Sequence, residues 1–219
     1  LGSNCAVFLA RTGIRDFVIA DPDVVALSNL NRQHFFPRHL GLPKVEALGA
    51  VLRELNPSVI LRLEQRALDG PSACGLFAGC DIVVEAVDDP EVKKDLVEAL
   101  LLAGHRVVSA SGMAGWGGVP MTARKLGSRL VVVGDHVSGI GPGMPPLAPR
   151  VVMAAAMEAD AVLEMLLGEC SIGKGRKGFL KDAFPCSPQK RALLFLKPFD
   201  VIESPFPIVR STKEKSRTA

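Results

Sequence analysis

Short apolar runs alternate with amphipathic helical patterns through most of the sequence, and this alternation restricts the fold more than any other feature. The apolar runs have the length of buried strands and lie at residues 17–20, 59–63, 82–86 and 106–110. The helical patterns lie at residues 44–55, 90–102 and 149–167. This order predicts an α/β fold, in which a doubly wound, mostly parallel sheet has helices on both faces. Residues 121–126 and 130–133 resemble a hairpin and predict antiparallel strands in the C-terminal half.

The composition excludes several classes of protein. Of the 219 residues, 48% are hydrophobic and 22% are charged, which is typical of globular domains and excludes a wholly disordered chain. Aromatic residues make up 5%, with one Trp and no Tyr, so base-stacking platforms are lacking and we expect no nucleic-acid partner. The most apolar helical stretch, residues 151–167, contains three acidic residues, and we therefore expect no membrane span.

The five cysteines form no pattern that is typical of disulfides or of a zinc site. Their number is odd, their spacing is irregular and no C-x-x-C pair occurs. We therefore expect a location in the reducing cytoplasm and no bound zinc.

The charge is divided unevenly along the chain. Residues 1–170 carry a net charge of −4, whereas residues 171–219 carry +7. This shift predicts a mildly acidic domain over residues 1–168, followed by a basic and partly disordered C-terminal extension over residues 169–219.

The start of the sequence is compatible with a nucleotide site. Gly2 and Ser3 precede a predicted helix that ends at Gly13, and Asp21 follows the strand 17–20. An acidic residue about 20 positions after the glycine turn is the ribose-binding position of dinucleotide-type folds. The strand and the glycine-rich loop that would come before Gly2 are missing from the sequence, so we expect them to be truncated. The simpler interpretation is that Ser3 caps the helix and Asp21 only ends a strand.

A more specific motif follows. Residues 21–33 read D-P-D-V-V-A-L-S-N-L-N-R-Q, residues 41–48 read G-L-P-K-V-E-A-L, and residues 85–89 read E-A-V-D-D. These motifs and their spacing resemble the ThiF/MoeB/HesA family, the bacterial relatives of ubiquitin-activating enzymes. The resemblance covers residues 1–167. The segments S-G-M-A-G at 111–115 and L-A-P-R-V at 147–151 are most similar to the short ThiF-type thiamine biosynthesis proteins.

The resemblance implies a Rossmann-like fold and an adenylyltransferase that uses ATP and Mg²⁺. Members of this family adenylate the C-terminal glycine carboxylate of a ubiquitin-like sulfur-carrier protein that ends in Gly-Gly, here for the thiazole of thiamine. Such a carboxylate is ionised at neutral pH, so catalysis requires positioning and charge neutralisation rather than a general base. The resemblance also implies a homodimer.

The resemblance assigns a role to each residue of the motifs. The catalytic residues would be Arg32 on the β- and γ-phosphates, Lys44 on the α-phosphate and Asp88 on Mg²⁺. Asp21 would bind the ribose hydroxyls. The remaining nucleotide-binding positions would be Gly2, Ser3, Asp23, Asn29 and Gln33, of which Asp23 shapes the turn or contacts the ribose region.

The sequence also departs from its relatives. Many larger members carry two C-x-x-C zinc pairs, which this chain lacks. Members that form a thioester or a persulfide use a cysteine in the crossover loop, yet no cysteine lies between Cys80 and Cys170. We therefore expect adenylation only. Trp116 lies in a second glycine-rich loop, over residues 111–149, and either anchors the extended tail of a carrier or simply packs against the domain.

Other interpretations remain open from the sequence. Taken singly, Asp88 fits a helix cap, Asn29 a turn, and Arg32 with Lys44 a solvated basic face. At the level of function, the alternatives are an NAD(P)-binding oxidoreductase of the same fold, a non-catalytic binding protein, and a tRNA-directed relative. Release of pyrophosphate would separate adenylation from hydride transfer.

Overall fold

The computed structural model describes residues 1–168 and 191–195, which contain five α-helices, two single-turn 3-10 helices and seven strands. The helices are α1 (Gly2–Arg11), α2 (Lys44–Leu55), α3 (Gly70–Phe77), α4 (Pro90–Leu102) and α5 (Ala148–Leu167). The strands are β1 (Asp16–Ala20), β2 (Ile60–Glu64), β3 (Ile82–Glu85), β4 (Arg106–Ala110), β5 (Thr122–Leu126), β6 (Leu130–Gly134) and β7 (Arg191–Phe195).

The strands form one sheet in the order β2-β1-β7-β3-β4-β6-β5. Every neighbouring pair is parallel except β5 and β6, which form the antiparallel hairpin. The predicted fold class is thereby confirmed, including the antiparallel strands in the C-terminal half. Among the described residues, none of the helices α1 to α5 is both long enough and apolar enough to cross a membrane.

Strand β7 lies in the centre of the sheet although it is the last strand in the chain. It pairs in parallel with β1 on one side and with β3 on the other. Its residues belong to the predicted C-terminal extension, so at least this part of the extension joins the domain's sheet. The predicted disorder of the extension concerns residues that lie outside those described.

Helices cover both faces of the sheet. Helices α1, α2 and α5 pack on one face, over a core that includes Leu9, Leu48 and Val162. Helices α3 and α4 pack on the other face, around Phe77 and Leu96. Strands β1, β3 and β4 are thus buried on both sides, as continuous apolar runs require, whereas the edge strand β2 is partly exposed.

Two helix starts differ from the prediction. Ser3 does not cap α1, because it lies inside the helix and the preceding Leu1 makes no side-chain cap. Helix α3 was missed, although Asp69 and Ser72 form a capping box at its start, because the helix has only eight residues and little polar patterning.

The parallel strands bring the ends of several loops to one edge of the sheet, which we call the carboxyl edge. Asp21 follows β1, Asp88 lies three residues after β3, Ser111 follows β4 and Asp135 follows β6. Helices α1, α2 and α5 begin at this edge. Open α/β sheets bind their ligands at this edge.

Candidate nucleotide site

Lys44 and two aspartates form a buried charged group at the carboxyl edge. Lys44 is the first residue of α2, and its side chain is almost completely buried. Its Nζ atom is 2.9 Å from Oδ2 of Asp23 and 3.8 Å from Oδ2 of Asp21. The Lys44 amide also donates to the Asp23 carbonyl at 2.8 Å. Lys44 is therefore not part of a solvated basic face, and its ammonium is held by the acidic motif that precedes it.

Asp21 has one oxygen in a hydrogen bond and one that lies 3.8 Å from the Lys44 ammonium but accepts no hydrogen bond. Oδ1 accepts a hydrogen bond of 2.9 Å from the Asp23 amide, whereas Oδ2 is buried and accepts none. Burial raises the pKa of Asp21 to about 7, and the charge of Lys44 opposes this rise only in part. A buried acceptor without a donor is unfavourable, so this oxygen fits a ligand that brings a hydroxyl group.

Arg32 lies on a turn built by Asn29. The Asn29 Oδ1 atom accepts from the Ala26 amide at 2.9 Å, which makes this side chain part of the turn. The Arg32 Nη1 atom donates to the Ser28 carbonyl and to Asn31 Oδ1, each at 2.9 Å. Burial lowers the pKa of Arg32, and the charge of Asp88 opposes the shift. An arginine guanidinium stays a cation in proteins at neutral pH.

Gln33 follows Arg32 and leaves a second oxygen without a partner. Its Oε1 atom is buried and accepts no hydrogen bond from the residues described. It is therefore available to a donor on a ligand, as the Asp21 Oδ2 atom is.

The start of α1 is linked to the turn that carries Arg32. The Ser3 hydroxyl accepts a hydrogen bond of 2.9 Å from the His34 amide. The amide group of Asn4 donates to the Arg32 carbonyl at 2.7 Å. Ser3 thus positions this segment instead of capping its own helix, and Asn4, which was not predicted from the sequence, does the same. A buried polar side chain on an apolar helix was the available signal.

Asp88 lies beside these cations but is not the cap of α4. The Oδ1 atom of its neighbour Asp89 accepts from the amides of Glu91 and Val92 at 2.9 and 3.1 Å, and so provides the cap. Burial raises the pKa of Asp88, and the charges that oppose this shift include those of Arg32 and Lys44. The Asp88 carboxylate is therefore free for another role.

A second buried group, also missed by the sequence analysis, shapes the loop that carries Asp88. Glu85, at the end of β3, is fully buried and accepts a hydrogen bond from the Val87 amide. Its Oε2 atom accepts from Lys93 Nζ at 2.5 Å and from the Ser109 hydroxyl at 2.6 Å. These contacts join β3, α4 and β4 at the start of the loop that carries Asp88.

The described residues hold no ready-made metal cage. Within residues 1–168, no three His, Cys, Asp or Glu side chains are grouped closely enough to hold a metal ion. A site with Asp88 as its single protein ligand is compatible with Mg²⁺, since this ion commonly takes one or two carboxylates and completes its shell with water and substrate phosphates.

Of the other residues considered from the sequence, Gly2 and Cys5 are buried, whereas Trp116 is exposed. Gly2 lies buried in the first turn of α1. Cys5 is buried in the core. Trp116 is 69% exposed, so the interpretation that it simply packs against the domain is wrong for the described chain.

Similarity to known proteins agrees with this arrangement. A model of the ThiF family matches residues 1–184. The adenylyltransferase and sulfurtransferase UBA4 of Yarrowia lipolytica is 29% identical over 177 residues, which are 77% of this chain and 45% of that protein. The sulfur carrier protein ThiS adenylyltransferase of Escherichia coli is 32% identical over 119 residues, 54% of this chain and 47% of that protein. The chain thus spans less than half the length of these two curated relatives.

Solved structures share the fold. The E. coli tRNA N6-threonylcarbamoyladenosine dehydratase TcdA, in complex with AMP, has a TM-score of 0.68 and 19% identity, over 75% of this chain and 81% of that chain. E. coli MccB with AMPCPP and MccA has a TM-score of 0.56 and 22% identity, over 75% of this chain and 52% of that chain. At these identities the likeness concerns the fold. Because the family model covers most of the sequence, the chain belongs to the ThiF family.

Proposed function

We propose that the protein catalyses the ATP-dependent adenylylation of the C-terminal glycine carboxylate of a ubiquitin-like sulfur-carrier protein. The observation that carries this proposal is the charged group at the carboxyl edge. There the buried Lys44 ammonium lies beside an Asp21 oxygen that lacks a donor, and Arg32 and Asp88 interact electrostatically with each other. The curated relatives named above are adenylyltransferases, which supports the same reaction.

The reaction needs charge neutralisation more than proton transfer. The ionised carboxylate attacks the α-phosphorus of ATP, an acyl-adenylate forms, and pyrophosphate leaves with the electron pair of the broken P–O bond. Two anions must approach each other, so cations fixed in a largely buried site lower the barrier. Lys44 is suited to the α-phosphate, and the forked donors of Arg32 to the departing phosphates.

The unpartnered oxygens are suited to the neutral part of the nucleotide. Asp21 Oδ2 would accept a ribose hydroxyl, and Gln33 Oε1 would accept a second donor of the nucleotide. Asp23 would keep the Lys44 ammonium in place, since their 2.9 Å contact already fixes it. Asp88 would hold Mg²⁺, which when bound neutralises charge on the phosphate oxygens.

The finer assignments belong to the same proposal. The resemblance to short ThiF-type proteins and the E. coli ThiS relative favour a carrier for thiazole synthesis. We also propose a cytoplasmic homodimer and a protein without zinc. A tRNA-directed activity is the second candidate, because the structure of TcdA, a tRNA-directed enzyme, shares the fold over 75% of this chain.

Acceptor-dependent exchange between radiolabelled pyrophosphate and ATP tests the proposal. The acceptors are small proteins that end in Gly-Gly, each with a matched version that lacks the last glycine, and bulk tRNA. We expect exchange with one carrier and none with its shortened version. Exchange with tRNA alone would replace the carrier by tRNA. Nucleotide binding by calorimetry without exchange for any acceptor would contradict the proposal and indicate a non-catalytic protein.

A further inference from the structure

A buried ion pair lies outside the charged group described above, at the other side of the carboxyl edge. Asp135 directly follows β6, and Arg150 is the third residue of α5. Both side chains are buried, and Nη2 of Arg150 donates a hydrogen bond to Oδ2 of Asp135. Burying two charges removes their hydration, so such a pair is weak evidence for stability by itself. Its other contacts indicate what it does.

Arg150 also holds the backbone of residues 112–120, which we call the glycine-rich segment. Its Nη1 atom donates to the Gly117 carbonyl. The Val119 carbonyl lies 3.4 Å from Nη2 and 3.5 Å from Nη1. One planar guanidinium therefore joins β6 and α5 to two points of the segment. A lysine ammonium would not reproduce these directions.

Asp135 holds the N-terminal part of the segment, through the turn at Val137 and Ser138. Its Oδ1 atom accepts from the amides of Val137 and Ser138, each at 2.8 Å. The Ser138 hydroxyl then accepts from the Ala114 amide at 3.1 Å. Asp135 thereby fixes the turn that reaches Ala114, while Arg150 fixes Gly117 and Val119.

Trp116 lies between these two attachment points and remains 69% exposed. The Gly115 amide, just before it, donates to the Pro145 carbonyl at 2.8 Å. A large aromatic side chain on a restrained backbone loses little further freedom on binding, which favours a contact with a partner. The segment begins at the end of β4, on the same edge as Asp21 and Asp88. A partner reaching these residues passes close to it.

We propose that Arg150, held by Asp135, is a positioning residue that fixes the glycine-rich segment so that Trp116 contacts the extended C-terminal tail of the acceptor protein. This assignment rests on the proposed adenylylation of a protein carboxylate. Trp116 would contribute to the binding of the acceptor, whereas Arg32, Lys44 and Asp88 would act on the nucleotide and Mg²⁺.

The fluorescence of Trp116 tests directly whether Arg150 fixes the glycine-rich segment, because Trp116 is the single tryptophan of the chain. The variant is Arg150→Lys, which keeps the charge but removes the forked donors. Arg124→Lys, on the exposed edge strand β5, is the matched control. Without nucleotide or acceptor, we expect lower fluorescence anisotropy and stronger acrylamide quenching in Arg150→Lys only. Equal anisotropy and quenching in both variants would overturn the positioning role.

The kinetics of acceptor-dependent pyrophosphate exchange test whether Trp116 contacts the tail of the acceptor. In Arg150→Lys and in Trp116→Ala, we expect the KM for the acceptor to rise about tenfold, with kcat and the Kd for ATP within about twofold of wild type. Trp116→Ala changes an exposed side chain, so it keeps the test valid if Arg150→Lys unfolds. An unchanged acceptor KM would overturn the contact with the tail. If no protein acceptor supports exchange by the wild type, the proposed function fails together with this contact, and the fluorescence still judges the role of Arg150.

Discussion

The Nζ atom of Lys44 is 2.9 Å from Oδ2 of Asp23, and together they place a buried cation where β1 and α2 meet. Because Oδ2 of Asp21 lies 3.8 Å from the same ammonium, two carboxyl groups share one lysine. The lysine is thus held at a fixed point before any phosphate arrives, and charge neutralisation at this point needs no side-chain rearrangement.

Replacing this lysine with an uncharged residue tests its role. We expect Lys44→Gln to lower the rate of acceptor-dependent pyrophosphate exchange by about 100-fold or more, because a fixed cation is lost where negative charge develops. The matched control is Arg124→Gln on the exposed strand β5, which should keep the wild-type rate. An exchange rate within a few-fold of wild type in Lys44→Gln would rule out this role.

The protonation of Asp21 should make nucleotide binding depend on pH. Its pKa in the folded protein is about 7, whereas an unfolded chain has about 3.9. The carboxylate that accepts a ribose hydroxyl is therefore mostly protonated at pH 6 and mostly ionised at pH 8. We expect the Kd for ATP to fall about tenfold over this range, measured by calorimetry.

The variant Asp21→Asn separates this effect from the titration of ATP itself. The ligand's own protonation contributes equally in both proteins, so only wild type should show the additional tenfold change. The same shift predicts the sign for stability. The folded protein binds more protons between about pH 4 and pH 7, so the contribution of Asp21 to the free energy of unfolding falls as pH rises through this window. Identical pH profiles for the two proteins would contradict the assignment.

Two adjacent aspartates before α4 should give opposite results when replaced. We expect Asp88→Ala to abolish Mg²⁺-dependent exchange while the melting temperature changes little, because Asp88 does not cap the helix. Asp89→Ala should keep exchange and lower the free energy of unfolding by about 1 kcal/mol, since it removes the two cap hydrogen bonds. Full exchange activity in Asp88→Ala would exclude its role with Mg²⁺.

Much of the fold was predictable because its signals are local. Continuous apolar runs predicted β1, β3 and β4. The spacing of apolar residues predicted α2, and the aspartates before Pro90 predicted α4, each close to its observed ends. Strand β7 was harder, because its central position depends on pairing with strands far away in the chain. Local patterns carry no information about such pairing.

The site was predictable in its residue types but not in its contacts. The motif spacing predicted that Asp21, Lys44 and Asp88 matter, but not that Asp23 would hold the ammonium or that Asp89 would be the cap. The buried charges of α5 gave no signal of their own. Arg150 and Glu158 lie on a helix that also has exposed apolar residues, so its polar and apolar faces are decided by tertiary contacts rather than by sequence periodicity.

The last prediction concerns the close approach between β6 and the start of the glycine-rich segment. Gly134 has a φ of +132°, and a Cβ atom there would lie 1.9 Å from the Ser111 carbonyl oxygen. Two backbone hydrogen bonds flank this point, from the Asp135 amide to Gly112 and from the His136 amide to Ser111. A side chain at position 134 would push these backbones apart.

We therefore expect Gly134→Ala to lower the free energy of unfolding by about 3 kcal/mol or more in urea denaturation. Gly127→Ala is the matched control, because Gly127 has a φ of +67° with nothing within 4 Å of its added Cβ, and only the backbone strain of about 1 kcal/mol applies. The difference between the two variants isolates the close approach from the positive φ. Equal losses of unfolding free energy in the two variants would mean that the backbones at Ser111 and Gly134 separate easily. The glycine-rich segment would then be held by Arg150 and Asp135 rather than by this contact.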